Sequence, residues 1–374
     1  MPSRLGGLRM IAALIGLSST AALARSCYKP EGEENFEVNS PEDVSRLFEG
    51  CESIWGDIVI GDNYTGPFVL PGVVQILGEL DLNWGGWYEE RPDYSIAPNV
   101  TSIELPDLEM MYSADIRDVP TLRLVSMPKL TEVWHGLKLL QQRNPPCATD
   151  FRSLRWANDL SIKGRFTRMN FDSLETVSNI LEIASNLKTA ISLPRLNLTC
   201  GLRLWGVPSS VSLPSFSHAQ RITDHSCSHG HVSMGFDAPI SVDLPKLRLI
   251  EFDFSIAGNI TSLSLPYVHR LENSFSVSST QALRFSVPLE RAFTIQLGGH
   301  VQAASFPNLK YVHRVSAVLE GEFDCSGLSK QVHGIWSKTD VDPRSFEFFC
   351  KAQKVSLEWL RAGGAGGGDV GYSH

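Results

Sequence analysis

Basic charge is in short supply in this 374-residue chain, where 33 lysines and arginines stand against 41 aspartates and glutamates for a formal net charge of −8. That balance argues against nucleic acid or an anionic lipid surface as partner, since both are held by a surplus of cations. A bilayer-spanning segment is also missing where one would first look: the apolar run that starts at Met10 is too short and too interrupted by serine. Preceded by Arg4 and Arg9 and followed by the small-residue triplet Ala22, Leu23, Ala24, that run reads instead as a secretory signal peptide covering residues 1–24. The mature chain is expected to begin at Arg25 and to fold in an oxidising lumen, as a secreted, extracellular or cell-surface protein. At the other end the sequence stops at RAGGAGGGDVGYSH. As written it encodes no hydrophobic GPI tail, and residues 351–374 are expected to be a flexible Gly-rich end.

What the chain does have agrees with that compartment. Sequons occur at Asn63, Asn99, Asn197 and Asn259, and seven cysteines imply disulfides with one thiol left over. Asn63, Asn99 and Asn259 lie 8, 7 and 7 residues before the proline of their repeats, so their glycans are expected to leave from one corner line.

A short phrase recurs along the chain: two apolar residues one apart, then about twelve residues on a Leu-Pro or its equivalent. The first half falls at Ile58, Tyr94, Ala114, Leu137, Leu160, Leu181, Leu202, Val232, Phe254, Phe275, Ile295 and Val315. Nine of the eleven intervals are 20 to 23 residues. One copy cannot bury its apolar face alone, whereas stacked copies bury it between rungs, so a period of this length predicts a solenoid. The expected fold is mainly β: a right-handed parallel β-solenoid of about twelve rungs over 53–324. Leu181, Ile183, Leu263 and Leu265 should point inward. An Asn three residues past the second apolar position, at Asn99, Asn186 and Asn259, could bond backbone at the turn. The two long intervals, Ile58 to Tyr94 and Leu202 to Val232, mark loops around GELDLNWGGWYEERPD and HAQRITDHSCSHGH, and loops on a rigid scaffold are where ligands tend to bind.

Bare terminal rungs expose apolar surface, so both ends need caps. SPEDVSRLFEGC, residues 40 to 51, reads as a capping helix within an N-terminal cap over 25–52, started by Ser40 and Pro41 with Asp43 as the capping-box acid. Cys27 and Cys51 flank it, and Cys325 and Cys350 bracket a C-terminal cap over 325–350. Cys200 and Cys227 precede consecutive strands at one corner and are the third expected pair, which leaves Cys147 as the odd cysteine.

The phrases C51-E-S-I-W-G-D-I-V-I60, N99-V-T-S-I-E-L-P-D-L108 and N259-I-T-S-L-S-L-P-Y-V268, with the cap from F323-D-C-S326 to Cys350, resemble the fungal GPI-anchored cell-wall organisation glycoproteins. These are relatives of sporulation-specific proteins, built from receptor L-domain-like leucine-rich repeats. The resemblance covers roughly residues 27 to 350. It implies a non-catalytic glycoprotein that supports wall organisation and integrity through wall polysaccharides or wall glycoproteins, with membrane attachment only where a GPI signal is present.

Three sets of residues are candidates for chemistry. His225, His229 and His231 surround Cys227 and could converge on zinc, but in an oxidising lumen the thiol is expected to go to a disulfide, so no metal and no cofactor is assigned. Trp84, Trp87 and Tyr88 could stack on sugar rings or fold back over the adjacent rung. Asp253 points outward, and with Ser233 and Ser276 taken as its neighbours it has no carboxylate partner, so no catalytic residue is assigned. The alternatives to a wall protein are a secreted carbohydrate-active β-helix enzyme, or a soluble receptor-like module that binds a peptide or glycan through the two loops.

Overall fold

The computed structural model describes residues 25–82, 98–142, 145–222, 227, 230–337 and 346–353. These residues form a parallel β-solenoid of about twelve turns. Every strand pairing is parallel, and neighbours in the main sheet follow one another rung by rung.

The turn explains the period. Leu105-Pro-Asp-Leu108 closes on a hydrogen bond from Leu108 N to Leu105 O, and the same i to i+3 bond recurs at Met127/Leu130, Phe151/Leu154, Leu193/Leu196, Leu244/Leu247 and Phe306/Leu309. Proline at the second position presets the φ that a type I or II turn needs. The first and fourth residues of these turns are buried. A single four-residue unit therefore reverses the chain and drives two apolar side chains into the core. Phe151-Arg152-Ser-Leu154 and Phe171-Asp172-Ser-Leu174 do the same without proline.

Inside, the first apolar position stacks in one column. Ile58, Leu80, Ala114, Leu137, Leu160, Leu181, Leu202, Val232, Phe254, Phe275, Ile295 and Val315 are in register, one per rung. Leu80, not Tyr94, follows Ile58, and Tyr94 lies outside the described residues. The long insertion thus falls between Leu80 and Ala114. Glu79-Leu80-Asp81-Leu82 alternates half-buried acids with buried leucines, and through Asp81 it is strand, not loop. Leu181, Ile183, Leu263 and Leu265 are buried as expected. Phe254 stacks on Phe275 at 5.3 Å, and Phe306 meets Phe275 edge-on at 5.7 Å.

The asparagine turn ladder does not form. Asn186 is exposed, and Asn259 Oδ1 is buried with no hydrogen-bond partner. The corner is built from small residues instead: Gly164, Ser185 and Gly206 lie in one register column, as do Gly258, Ser279 and Gly299. At Gly258, φ is +102° and an added Cβ would overlap the carbonyl of Phe236. That close approach in a left-handed conformation is open to glycine alone. Ser279 Oγ donates to Gln281 O at 2.7 Å, which closes the intervening corner.

Pairing extends past both expected ends of the repeat. Ser26–Tyr28 pairs with Ser53–Trp55 and Asn35–Val38 with Asp57–Ile60, so the N-terminal cap carries a rung of its own. Helix α1, Pro41–Phe48, follows it with Ser40 at its N-cap and Val44 and Phe48 buried. Ser40 Oγ accepts from Asp43 N at 3.2 Å, and the Asp43 carboxylate reaches back to accept from Asn39 N at 3.0 Å, one residue before the cap rather than at the cap itself as a capping box has it. At the C-terminal end, helix α2, Cys325–Trp336, buries Leu328 and Val332, and Glu347–Gln353 adds a last strand to Tyr311–Glu320. Cys27–Cys51 and Cys325–Cys350 fasten the two caps. They close loops of 24 and 25 residues, so each is worth about 3 kcal/mol in the chain-entropy account.

Phe275→Ala removes a side chain packed on three sides and is expected to cost about 3–5 kcal/mol. Ser276→Ala, one residue on and facing outward, should stay within about 0.5 kcal/mol. Urea denaturation followed by fluorescence and circular dichroism distinguishes them.

Candidate functional site

A kink divides the main sheet lengthwise. Between Val133 and Gly136, Ala157 and Leu160, and Val177 and Ile180 the register slips, so each strand bends into a short first limb and a long second limb. Backbone N–H groups freed at the kink are covered by acids from the preceding rung. Asp159 accepts from Asn179 Nδ2 at 2.9 Å and Ile180 N at 3.3 Å. Asp253 accepts from Asn273 Nδ2 at 2.9 Å and Ser274 N at 3.0 Å. Its register neighbour on the preceding rung is His231, whereas Ser233 and Ser276 flank Ser255. Asp253 is a bonded corner residue rather than a solvated charge.

The outer face of the second limb carries a central column, one side chain per rung. It runs Asp115, Lys138, Ser161, Glu182, Arg203, Ser233, Ser255, Ser276, Gln296, Ser316. The column changes character at Arg203. On the N-terminal side it is a lattice of charge. Asp115 takes both guanidinium branches of Arg117, at 2.7 and 2.6 Å, and Lys163 lies 2.7 Å from Glu182. Burial, with the charges of Asp115 and Asp57, holds the Glu79 carboxyl above the usual carboxylate range. Burial also lowers the ammonium pKa of Lys138. A 260 Å³ groove joins these two to His135 and Asp159. Glu79 and Asp159 are three rungs apart, on the order of 14 Å by rung spacing, too far for the acid–nucleophile pair of glycoside hydrolysis.

On the C-terminal side the face is hydroxyl and small. Ser233, Ser255 and Ser276 stand beside a parallel column of Gly235, Ala257 and Ser278, followed by Gln296 beside Gly298 and Ser316 beside the exposed Val318. A shallow 680 Å³ groove runs across it, from Arg203 and His231 to Gln296. Beside the serine column, Trp205 heads the column of Gly235 and Ala257: its indole lies over Gly235 of the next rung, where a Cβ would overlap the six-membered ring, and it remains 37% exposed. This tryptophan was legible only through the register, since it reads in sequence as one more outward residue of LRLWG.

The Cys200–Cys227 bridge is formed, with a Cα separation of 6.1 Å. His231 packs its ring over Gly201 and accepts from Arg203 Nε at 3.2 Å. Among the described residues no three histidine, cysteine or carboxylate side chains converge on a point. His225, His229, Trp84, Trp87 and Tyr88 lie outside the described residues. Of the sequons, Asn63, Asn99 and Asn197 are exposed and Asn259 is half-buried. Cys147 is fully buried and its thiol is pushed up to about 12 by desolvation. A thiol so held is inert, since the thiolate is the reactive form.

Comparison with protein-family models, curated proteins and solved structures finds no match.

Two outcomes follow from these environments. In the native protein Cys147 should resist a thiol reagent such as DTNB, and one equivalent should react after unfolding in guanidinium. Glu79 binds its proton more tightly folded than unfolded, so its contribution to stability is lost as pH rises through its raised pKa. Glu79→Gln should therefore melt with wild type near about pH 4 and above it near about pH 7, checked by thermal melts across that range.

Proposed function

We propose that this chain is a non-catalytic, secreted or cell-surface glycoprotein that organises a fungal cell wall by holding neutral wall polysaccharide along the second limb of its long sheet. The observation that carries this reading is the in-register hydroxyl column Ser233–Ser255–Ser276, bordered by the column of Gly235 and Ala257 that the exposed Trp205 heads. A polysaccharide chain presents hydroxyls at a repeat close to the rung step of roughly 4.8 Å. Serines at that step can exchange hydrogen bonds with successive sugars, and the small neighbouring residues let the chain lie flat. Trp205 supplies the ring on which a sugar stacks.

The leader-like N-terminus, the sequons and the three disulfides support an extracellular setting. The resemblance to fungal wall glycoproteins supports the wall in particular. Glycans at Asn63 and Asn99 would stand beside the corner that leads into the smaller sheet of Thr65–Val69 and Asn99–Glu104, leaving the hydroxyl face open.

A second reading, a carbohydrate-active enzyme, draws on Glu79, a carboxyl above its usual range in a groove with His135 and Lys138. Release of reducing or unsaturated sugars from β-glucan by wild type but not by Glu79→Gln would favour it.

The binding reading is tested by co-sedimentation with insoluble β-glucan. Wild type should be retained, and Trp205→Ala should weaken retention about three- to tenfold, the worth of one stacked ring. A wild-type chain that stays in the supernatant would refute it.

A further inference from the structure

Where each turn leads into the next rung, charges pair across the rung step. Lys129 lies 2.8 Å from Asp107, Arg155 3.2 Å from Glu175, and Lys310 2.9 Å from Glu290. Between the second and third of these pairs the pattern breaks. Arg195, Lys246, Arg248 and Arg270 occupy the same edge and none forms an ion pair among the described residues. Asn197, Ser217 and His269 stand where neighbouring rungs place Glu175 and Glu290. Uncompensated cations are gathered here in a chain whose net charge is −8.

The cations flank an open groove of 560 Å³ whose lining includes Arg195, His218, Lys246 and Arg248. Its one lining carboxylate, Glu175, is already held by Arg155. Arg195 and Lys246 each follow a turn proline two rungs apart, roughly 10 Å. Leu249, Arg270 and Arg291 continue in parallel register. Two guanidinium groups lie over rings: Arg248 is 5.6 Å from the centroid of Tyr267 and Arg291 4.8 Å from that of Tyr311. Stacking orients a guanidinium while leaving its N–H edge free for an oxyanion.

We propose that this edge binds a linear polysaccharide bearing phosphate or sulfate ester groups, with the anions against Arg195, Lys246, Arg248 and Arg270. The ladder spans on the order of 20 Å from Arg195 to Arg291, which suits a chain with repeated charges better than a single small anion. Arg248 and Arg291 already lie over one face of Tyr267 and Tyr311, which leaves fewer ring faces for the base stacking by which single-stranded nucleic acid is held. The site is distinct from the hydroxyl face and stands or falls separately. Asn197 lines the same groove, its Oδ1 accepting from Ser217, so an N-glycan on it would stand at the groove's mouth.

The test uses the full chain from a secreting host, with phosphorylated dextran, unmodified dextran and a single-stranded DNA of matched charge as probes. Phosphorylated dextran should bind and unmodified dextran should not, with affinity falling as salt rises. The variant R195Q/K246Q/R248Q should lose at least about tenfold in affinity, whereas K129Q/K310Q, whose charges are already paired, should stay within about twofold. N197Q should bind at least as well as wild type, and Trp205→Ala should bind phosphorylated dextran unchanged. Equal loss in the two lysine and arginine variants, DNA bound more tightly than phosphorylated dextran, loss of binding in N197Q, or no preference for the phosphorylated polymer would each overturn the proposal.

Discussion

The structure depends on one constraint, the in-register hydrogen bonding of each strand to the strand one rung before and one rung after. In a parallel ladder the bonds are evenly spaced, and a slip of one residue would turn every inward side chain outward. Each rung must therefore return the chain to the same height and phase. The four-residue turn closed from Leu108 N to Leu105 O does this at one corner, and the glycine and serine column through Gly258 and Ser279 does it at another. The kink lets a strand change direction without losing its place, at the cost of freed N–H groups that Asp159 and Asp253 cover. Only the ends fail to supply two neighbours, and there the helices α1 and α2 and their disulfides take over.

The same constraint arranges the surface. Because position is repeated each rung, the outward residues form columns, and a column has a chemistry of its own. The central column of the second limb passes from the Asp115–Arg117 and Lys163–Glu182 lattice to serines within one step of Arg203. On the far edge, paired charges at Arg155–Glu175 and Lys310–Glu290 bracket cations that form no ion pair among the described residues. One scaffold thus carries faces of different chemistry side by side.

Much of this was legible in the residues, and the limits have physical causes. The period, the inward leucines and the three cystines follow from local patterns that tertiary structure had no reason to override. The second rung was misplaced because Leu80 sits beside a Trp- and Gly-rich stretch, and a 34-residue step to Ala114 hides its membership in the column. Asn259 looked like a ladder residue, but its Oδ1 is buried without a partner while the turn closes through serine and glycine. Asp253 was matched to serines two residues off, since the kink that sets its phase leaves no mark on the hydrophobic pattern. Trp205 over Gly235, and the break in the charge ladder between Arg195 and Arg270, need register across rungs. Residues 53 apart in sequence, such as Arg195 and Arg248, become neighbours only once the loop after Ala219 is counted out of the repeat.

The register is the claim on which both proposed surfaces rest, and oxidative cross-linking tests it directly. Ser255 and Ser276 face each other on adjacent strands, at a separation within the range a disulfide requires. The double variant S255C/S276C should close a bridge under mild oxidation, while S255C/S278C, displaced by one outward position, should not. Closure of the displaced pair with the in-register pair left open would contradict the columns and the faces built from them.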